Sequence, residues 1–222
     1  MHHEEKKQLA AQAALQFIKP GMVLGIGTGT TINYLIDELP AFRNQLDAIV
    51  VSSQATETRL KNLNFEITPL NQVGNLDLYI DGADEANKHF HLIKGGGGAL
   101  TREKILAAAA REFVCIIDDS KWVGVLGAFP LPVEVVPMAR SYVSRQFVKN
   151  RGQPVLRQDF ITDNGNEIID VYNLQITNPI EMENRFNQIP GIVTVGIFAQ
   201  RPADRILMAS KDGVQEMTRK YG

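Results

Sequence analysis

The sequence predicts an α/β protein, a Rossmann-like open sheet carrying an inserted ferredoxin-like α+β domain. Three observations lead there. Short apolar runs at 22–26, 76–80 and 113–117 alternate with helical stretches, as parallel βα units require. These runs open into loops rich in glycine or acidic residues, the position of the ligand crevice in open α/β sheets. After Gly127 the order becomes strand, helix, two strands, helix, strand, which is that of a ferredoxin-like unit. The expected domains are 1–127 with 200–222, and 128–199.

Taken in order, residues Glu4 to Ile18 place Leu9, Ala13, Leu15, Phe17 and Ile18 among polar positions, an amphipathic helix ended by Lys19-Pro20-Gly21. Strand Met22 to Ile26 runs into Gly25-Ile-Gly27-Thr-Gly29-Thr-Thr31, and a helix follows from Ile32 to about Leu39. A strand, a glycine turn and a helix place an anion on a helix N-terminus. A dinucleotide fingerprint would need a third glycine three residues after the second and an acid at the end of the next strand. Position 30 is Thr, and Asp47 to Val51 ends in Ser52-Ser53. No Gly-Lys-Ser/Thr follows, so this is not a Walker A loop either. The hydroxyls of Thr28, Thr30 and Thr31 beside free N–H groups suit a phosphate monoester. Ser52 to Glu57 opens a helix reaching about Leu63 and reads as a hydroxyl cap, and Glu66 to Leu70 reads as a strand.

The densest chemistry lies between Asp81 and Lys104. The run Leu76 to Ile80 reads as a buried strand, so Asp81 and Asp84 fall at its end. His91 to Ile93 delivers Lys94, and Gly95 to Gly98 follow. Four glycines weaken any helix or strand, and in return allow close backbone approach to a ligand, as a lid hinge or an anion nest. From Ala99 to Arg111 the sequence reads as a helix with Glu103 in its first turn. Each feature alone has an ordinary structural explanation, a dipole partner for Glu103 or a turn for Asp81-Gly82. Carboxylates, a lysine and a glycine loop on consecutive strand ends together point to acid/base chemistry. His89 and His91 have no companions to complete a familiar metal set, and no metal is expected.

Strand Phe113 to Ile117 ends in Asp118-Asp-Ser-Lys121. Cys115 within it reads as a buried inert thiol, and a single cysteine allows no intrachain disulfide. Beyond it, Pro132 to Val136 reads as a strand, Ala139 to Lys149 as a helix and Val155 to Gln158 as a strand, and the ferredoxin-like order takes the residues around Val155 and Phe160 as one strand. Asp163-Asn-Gly165 is a hairpin turn, Ile180 to Gln188 a helix and Gly191 to Ala199 a strand. Arg205 to Ala209 reads as a strand and Asp212 to Arg219 as a short helix, both returning to the first domain.

Composition bounds the function. The 222 residues are 44% hydrophobic and 22% charged, ordinary for a soluble globular chain. A net charge of -2 leaves no basic footprint for nucleic acid. No apolar run approaches the roughly 18 residues of a membrane span, and the N-terminus lacks a signal-peptide core, so a cytoplasmic location is expected.

The stretch from Asp81 to Lys104, the loop Gly25 to Thr31 and the segments Pro130-Leu-Pro-Val-Glu134, Pro137-Met-Ala-Arg140 and Thr162-Asp-Asn-Gly165 resemble the A type of ribose-5-phosphate isomerase. The resemblance covers essentially the whole chain. It implies interconversion of ribose 5-phosphate and ribulose 5-phosphate in the non-oxidative pentose phosphate pathway, without metal or organic cofactor. It also implies catalytic roles for Glu103, Asp81, Lys94 and Asp84. Substrate contacts are implied for Thr28, Gly29, Thr30, Thr31, Gly82, Ala83, Gly95, Gly96, Gly97 and Lys121. Thr30 stands where serine is frequent and keeps the hydroxyl. A homodimer is expected, with exposed faces of the second domain available for self-association. Two other classes fit the sequence less well. A sugar-phosphate sensor needs a DNA-binding domain, and too few residues precede the first strand to build one. A nicotinamide oxidoreductase needs the acid that the second strand lacks.

Overall fold

The structure is a computed structural model and describes residues 2–220. In chain order its elements begin with α1 (His3–Ala14), β1 (Met22–Ile26), α2 (Thr30–Glu38), β2 (Leu46–Val51), α3 (Gln54–Asn62) and β3 (Leu76–Asp81). Next come two short strands, β4 (Glu85–Ala86) and β5 (Leu92–Ile93), then α4 (Leu100–Ala109) and β6 (Ala110–Asp118). A third group is β7 (Leu131–Val135), α5 (Arg140–Lys149), β8 (Gln153–Leu156), β9 (Glu167–Tyr172), α6 (Pro179–Asn187), β10 (Ile192–Val195) and β11 (Ile197–Phe198). The hairpin of β12 (Arg205–Ser210) and β13 (Gly213–Thr218) is last. These elements form two compact units, one from the residues up to Gly82 with 102–122 and those from Ala203 onward, the other from 83–101 and 123–202.

The first unit is built on a six-stranded sheet in the order β13-β12-β6-β3-β1-β2, parallel except for the edge strand β13. Strands β3 and β6 are largely buried along their length, as central parallel strands covered on both sides are. Leu24, Ile26, Leu78, Ile80, Val114 and Ile116 form one face with α1 and α2. Ala10, Ala11 and Ala14 are fully buried, and their small side chains let α1 lie close to α2 and β6. On the other face the Tyr79 and Phe113 rings meet at 5.0 Å between centroids. Because β2 lies on one side of β1 and β3 on the other, the direction of winding reverses between β1 and β3. That reversal opens a crevice beyond their carboxyl ends.

The second unit contains the β-α-β-β-α-β run from β7 to β10, an antiparallel sheet in the order β10-β7-β9-β8. Its core packs Val133, Val135, Ile169, Val171 and Val195 with α5 and α6, whose Phe147 and Phe186 rings are 4.8 Å apart. A small antiparallel sheet, β11-β5-β4, completes the unit.

Three local expectations are corrected. Residues 66–69 join no sheet and Leu70 opens a short 3-10 turn; Thr68 N–H donates to the Ile49 carbonyl at 2.8 Å. Strand β8 stops at Leu156, and Asp159 takes a left-handed φ of 51°, so Phe160 does not continue it. Residues 213–218 are strand, not helix, paired with β12 in a hairpin whose turn is closed by Gly213 at φ 111°.

Candidate active site

In the first unit the crevice floor is the joint between β1 and β3. Gly27 N–H donates to the Ile80 carbonyl at 2.9 Å, and Thr28 N–H to Asp81 Oδ1 at 3.1 Å. Asp81, the last residue of β3, is fully buried. A Cβ on Gly27 would stand 1.8 Å from Asp81 Oδ1, so only glycine lets the carboxylate occupy this place. Gly82 N–H donates to the same oxygen at 2.8 Å, and the Tyr79 hydroxyl donates to Oδ2. Burial is permitted because three donors replace water around the carboxylate.

Tyr79 is the residue that sequence reasoning missed. It lies two positions before Asp81 on the same strand and so faces the same side, a signal available in the sequence. Burial first, then the charges of Asp81 and Glu103, push its phenol well above its ordinary value, so it stays a neutral donor. Ser52, whose hydroxyl is also buried, lies beside it.

The phosphate-loop candidates surround the start of α2. Gly29 is its N-cap, with φ 109°, and no side chain caps the helix, so its first N–H groups point outward with the positive end of the helix dipole. Thr30 and Thr31 are its first two residues. The Thr28 hydroxyl accepts from Ser53 Oγ at 3.0 Å. Ser53 caps α3 by accepting the Thr56 N–H at 3.1 Å, as expected, and Thr56 Oγ1 donates to the Gly27 carbonyl at 2.7 Å. A capping pair thus also braces the loop after β1.

Lys121 ends a tight turn after β6, half-buried. Asp118 accepts from Ser120 N–H at 3.0 Å, and Lys6 of α1 binds both oxygens of Asp119 at 2.7 and 2.9 Å. The Lys6 ammonium holds the Asp119 carboxyl below its ordinary value. Glu103, in the first turn of α4, is 3% exposed, and its charge is felt by the Tyr79 phenol together with that of Asp81. The first unit therefore holds Thr28, Gly29, Thr30, Thr31, Asp81, Gly82, Glu103 and Lys121.

The second unit holds Ala83, Asp84, Lys94, Gly95, Gly96 and Gly97. Lys94 is buried beyond β5, its N–H donating to the Gly196 carbonyl at 2.9 Å and its Nζ 5.6 Å from the Phe198 ring centre. Asp84 donates its N–H to the Ile93 carbonyl at 2.8 Å and accepts the Gly96 N–H at Oδ2, also 2.8 Å. One of the backbone donors expected for substrate is thus engaged by a carboxylate of the same site. Gly98 has φ 82°, and a Cβ there would fall 2.1 Å from the Phe160 ring. Glu85, also missed in the sequence, is buried and accepts the N–H groups of Gly127 and Phe129 at 2.7 and 2.6 Å, fixing the chain that leads to β7. Among the described residues no cluster of His, Cys, Asp and Glu has the makings of a metal site, and no helix is long and apolar enough to cross a membrane.

A reversal crevice with an uncapped helix N-terminus, lined by a buried strand-end carboxylate, is the architecture of an α/β enzyme for small anionic substrates. The family model for ribose 5-phosphate isomerase A (phosphoriboisomerase A) matches residues 48–213. The chain belongs to this ribose 5-phosphate isomerase A family. Solved structures agree. Ribose 5 phosphate isomerase A from Neisseria gonorrhoeae is 42% identical, with a TM-score of 0.95 over 99% of both chains. That from Methanocaldococcus jannaschii is 36% identical, with a TM-score of 0.92 over 98% of this chain and 100% of the other. A D-ribose-5-phosphate isomerase in complex with phospho-erythronic acid is 37% identical, with a TM-score of 0.93 over 99% and 100%.

Proposed function

We propose that the chain interconverts D-ribose 5-phosphate and D-ribulose 5-phosphate by proton transfer through an enediolate, without a metal, in the non-oxidative branch of the pentose phosphate pathway. The observation that carries this reading is membership of the isomerase family, with a relative 37% identical that binds phospho-erythronic acid. That acid is a four-carbon sugar-acid phosphate, with a carboxylate at one end and a phosphate at the other.

Opening of the furanose ring frees an aldehyde at C1. Glu103 takes the proton from C2, the electron pair moves into a C1–C2 double bond, and O1 becomes an oxyanion. Lys94 stabilises that charge as it forms. Asp81 moves the proton between O1 and O2 and assists ring opening, while Asp84 holds a hydroxyl or a water. Glu103 then returns its proton to C1 on the same face, so one carboxylate serves both carbons. Gly82, Ala83 and the glycine loop bind sugar oxygens. Thr28, Gly29, Thr30, Thr31 and Lys121 take the phosphate, whose binding energy orients the reacting end. The Tyr79, Thr28 and Gly82 donors to Asp81 support a fixed carboxylate in that role. The enzyme acts as a homodimer in the cytoplasm. Sedimentation at micromolar concentration, giving a single species of twice the chain mass, would bear out the first part.

The test is isomerisation by purified protein treated with chelator, beside Glu103→Gln. Activity that survives chelation and falls by several orders of magnitude in the variant, with phospho-erythronic acid binding retained, supports the reading. An inactive native protein that still binds the acid would replace it with a sensor, and an active variant would move the base to another carboxylate.

A further inference from the structure

The guanidinium of Arg157 lies in the second unit, just beyond β8, and all five of its N–H donors have acceptors. Nε donates to Asp170 Oδ2 at 2.9 Å and Nη2 to Asp170 Oδ1 at 2.6 Å, a bidentate pair. Nη1 and Nη2 both donate to the Gly95 carbonyl at 3.2 Å, and Nη1 also donates to the Gly96 carbonyl at 3.1 Å. The Phe160 ring, 5.3 Å from the guanidinium carbon, fills the place where Gly98 has no side chain. Asp170 on β9 thus holds the fork, and the fork holds two consecutive carbonyls of the glycine loop.

Planar trans peptides turn this into an orientation. In each peptide group the N–H points opposite to the C=O. With the Gly95 carbonyl on Arg157, the Gly96 N–H must point away from it, and it does, meeting Asp84 Oδ2 at 2.8 Å. With the Gly96 carbonyl also on Arg157, the Gly97 N–H is turned to that same side. A cation on both carbonyl oxygens polarises the two peptide groups and makes their N–H groups better donors. We propose that Arg157 is a positioning residue for the isomerase reaction, holding the Gly96 N–H on Asp84 and aiming the Gly97 N–H, beside that carboxylate, at the sugar oxygens of the substrate. This deepens the proposed function and rests on its reading of the glycine loop as a binding element. Lysine cannot reproduce the fork, because it offers one point charge where five directed donors are used.

The experiment compares native protein with Arg157→Lys in three readouts: amide resonances of Gly96 and Gly97 without ligand, inhibition by phospho-erythronic acid, and inhibition by inorganic phosphate. Both resonances should move, affinity for phospho-erythronic acid should fall about tenfold or more, kcat should drop, and the inhibition constant for phosphate should stay within about twofold. Equal losses for both inhibitors would mark a general structural defect and overturn the proposal. Unmoved resonances with unchanged affinity would overturn it as well. Resonances that move while phospho-erythronic acid binds as before would show that the loop amides do not meet substrate, which locates the failure in that part of the functional reading. Asp170→Asn, which loosens the fork but keeps the guanidinium, should show the same pattern more weakly and serves if Arg157→Lys does not fold.

Discussion

Replacing Tyr79 by phenylalanine isolates one hydrogen bond. The ring keeps its packing on Phe113, while Asp81 loses the hydroxyl donor and keeps the Thr28 and Gly82 amides. A hydrogen bond to a charged acceptor is worth about 1.5–3 kcal/mol, and burial leaves Asp81 no water to replace it. At the length of this chain, about 2–4 °C per kcal/mol converts that loss to a fall in unfolding midpoint of about 3–12 °C. If the bond also holds Asp81 in the transition state, kcat falls by roughly ten- to a hundredfold. The pH dependence has a definite sign. The folded phenol titrates well above its ordinary value of 10.0, so its stabilisation is complete below about pH 10 and is lost as pH rises towards the folded value. The gap in midpoint between native protein and Tyr79→Phe should therefore narrow above about pH 10. Differential scanning calorimetry from pH 7 to 11, with isomerisation rates at neutral pH, reads both effects. A variant that matches native protein in midpoint and kcat would refute the role given to this hydroxyl.

Three further outcomes are expected. Gly27→Ala would put a methyl 1.8 Å from Asp81 Oδ1, so the carboxylate must leave the Thr28 and Gly82 amides, and kcat/KM should fall at least about a hundredfold by steady-state kinetics. Glu134, fully buried on β7, accepts from the hydroxyls of Thr101 and Thr162 and the amides of Asn164 and Asn166. Glu134→Gln sets an amide donor against donors and should cost about 2–4 kcal/mol in urea unfolding. Ser53→Ala removes the cap of α3 and the brace on Thr28, costing about 1 kcal/mol in the same assay and raising KM more than it lowers kcat.

The parallel sheet was legible because β1, β3 and β6 are short apolar runs that end in glycine or acid, and those signals are local. The ferredoxin-like order was legible for the same reason, since Asp163-Asn-Gly165 and the helical periods flank real elements. Strand β13 was not. Gln215, Glu216 and Met217 favour helix, their edge-strand positions are mostly exposed, and pairing with β12 overrides that preference. The Asp212-Gly213 turn was the clue available. Residues 66–70 look like a strand, but Pro69 has no N–H to give a sheet. Within the candidate site, Asp81 and Lys94 were read from strand ends and Glu103 from the first turn of a helix. What was hidden is the support: Glu85, Glu134 and Arg157 act through contacts far along the chain, so no local pattern announces them, whereas Tyr79 stands two residues before Asp81 and could have been read from the strand period.

The most direct test of proton transfer through an enediolate is isomerisation of ribose 5-phosphate in deuterated water. Ribulose 5-phosphate from native protein should carry solvent deuterium at C1, and Glu103→Gln should lose this incorporation together with activity. Rapid turnover by native protein with no solvent deuterium in the product would contradict the mechanism and point to a direct hydride shift.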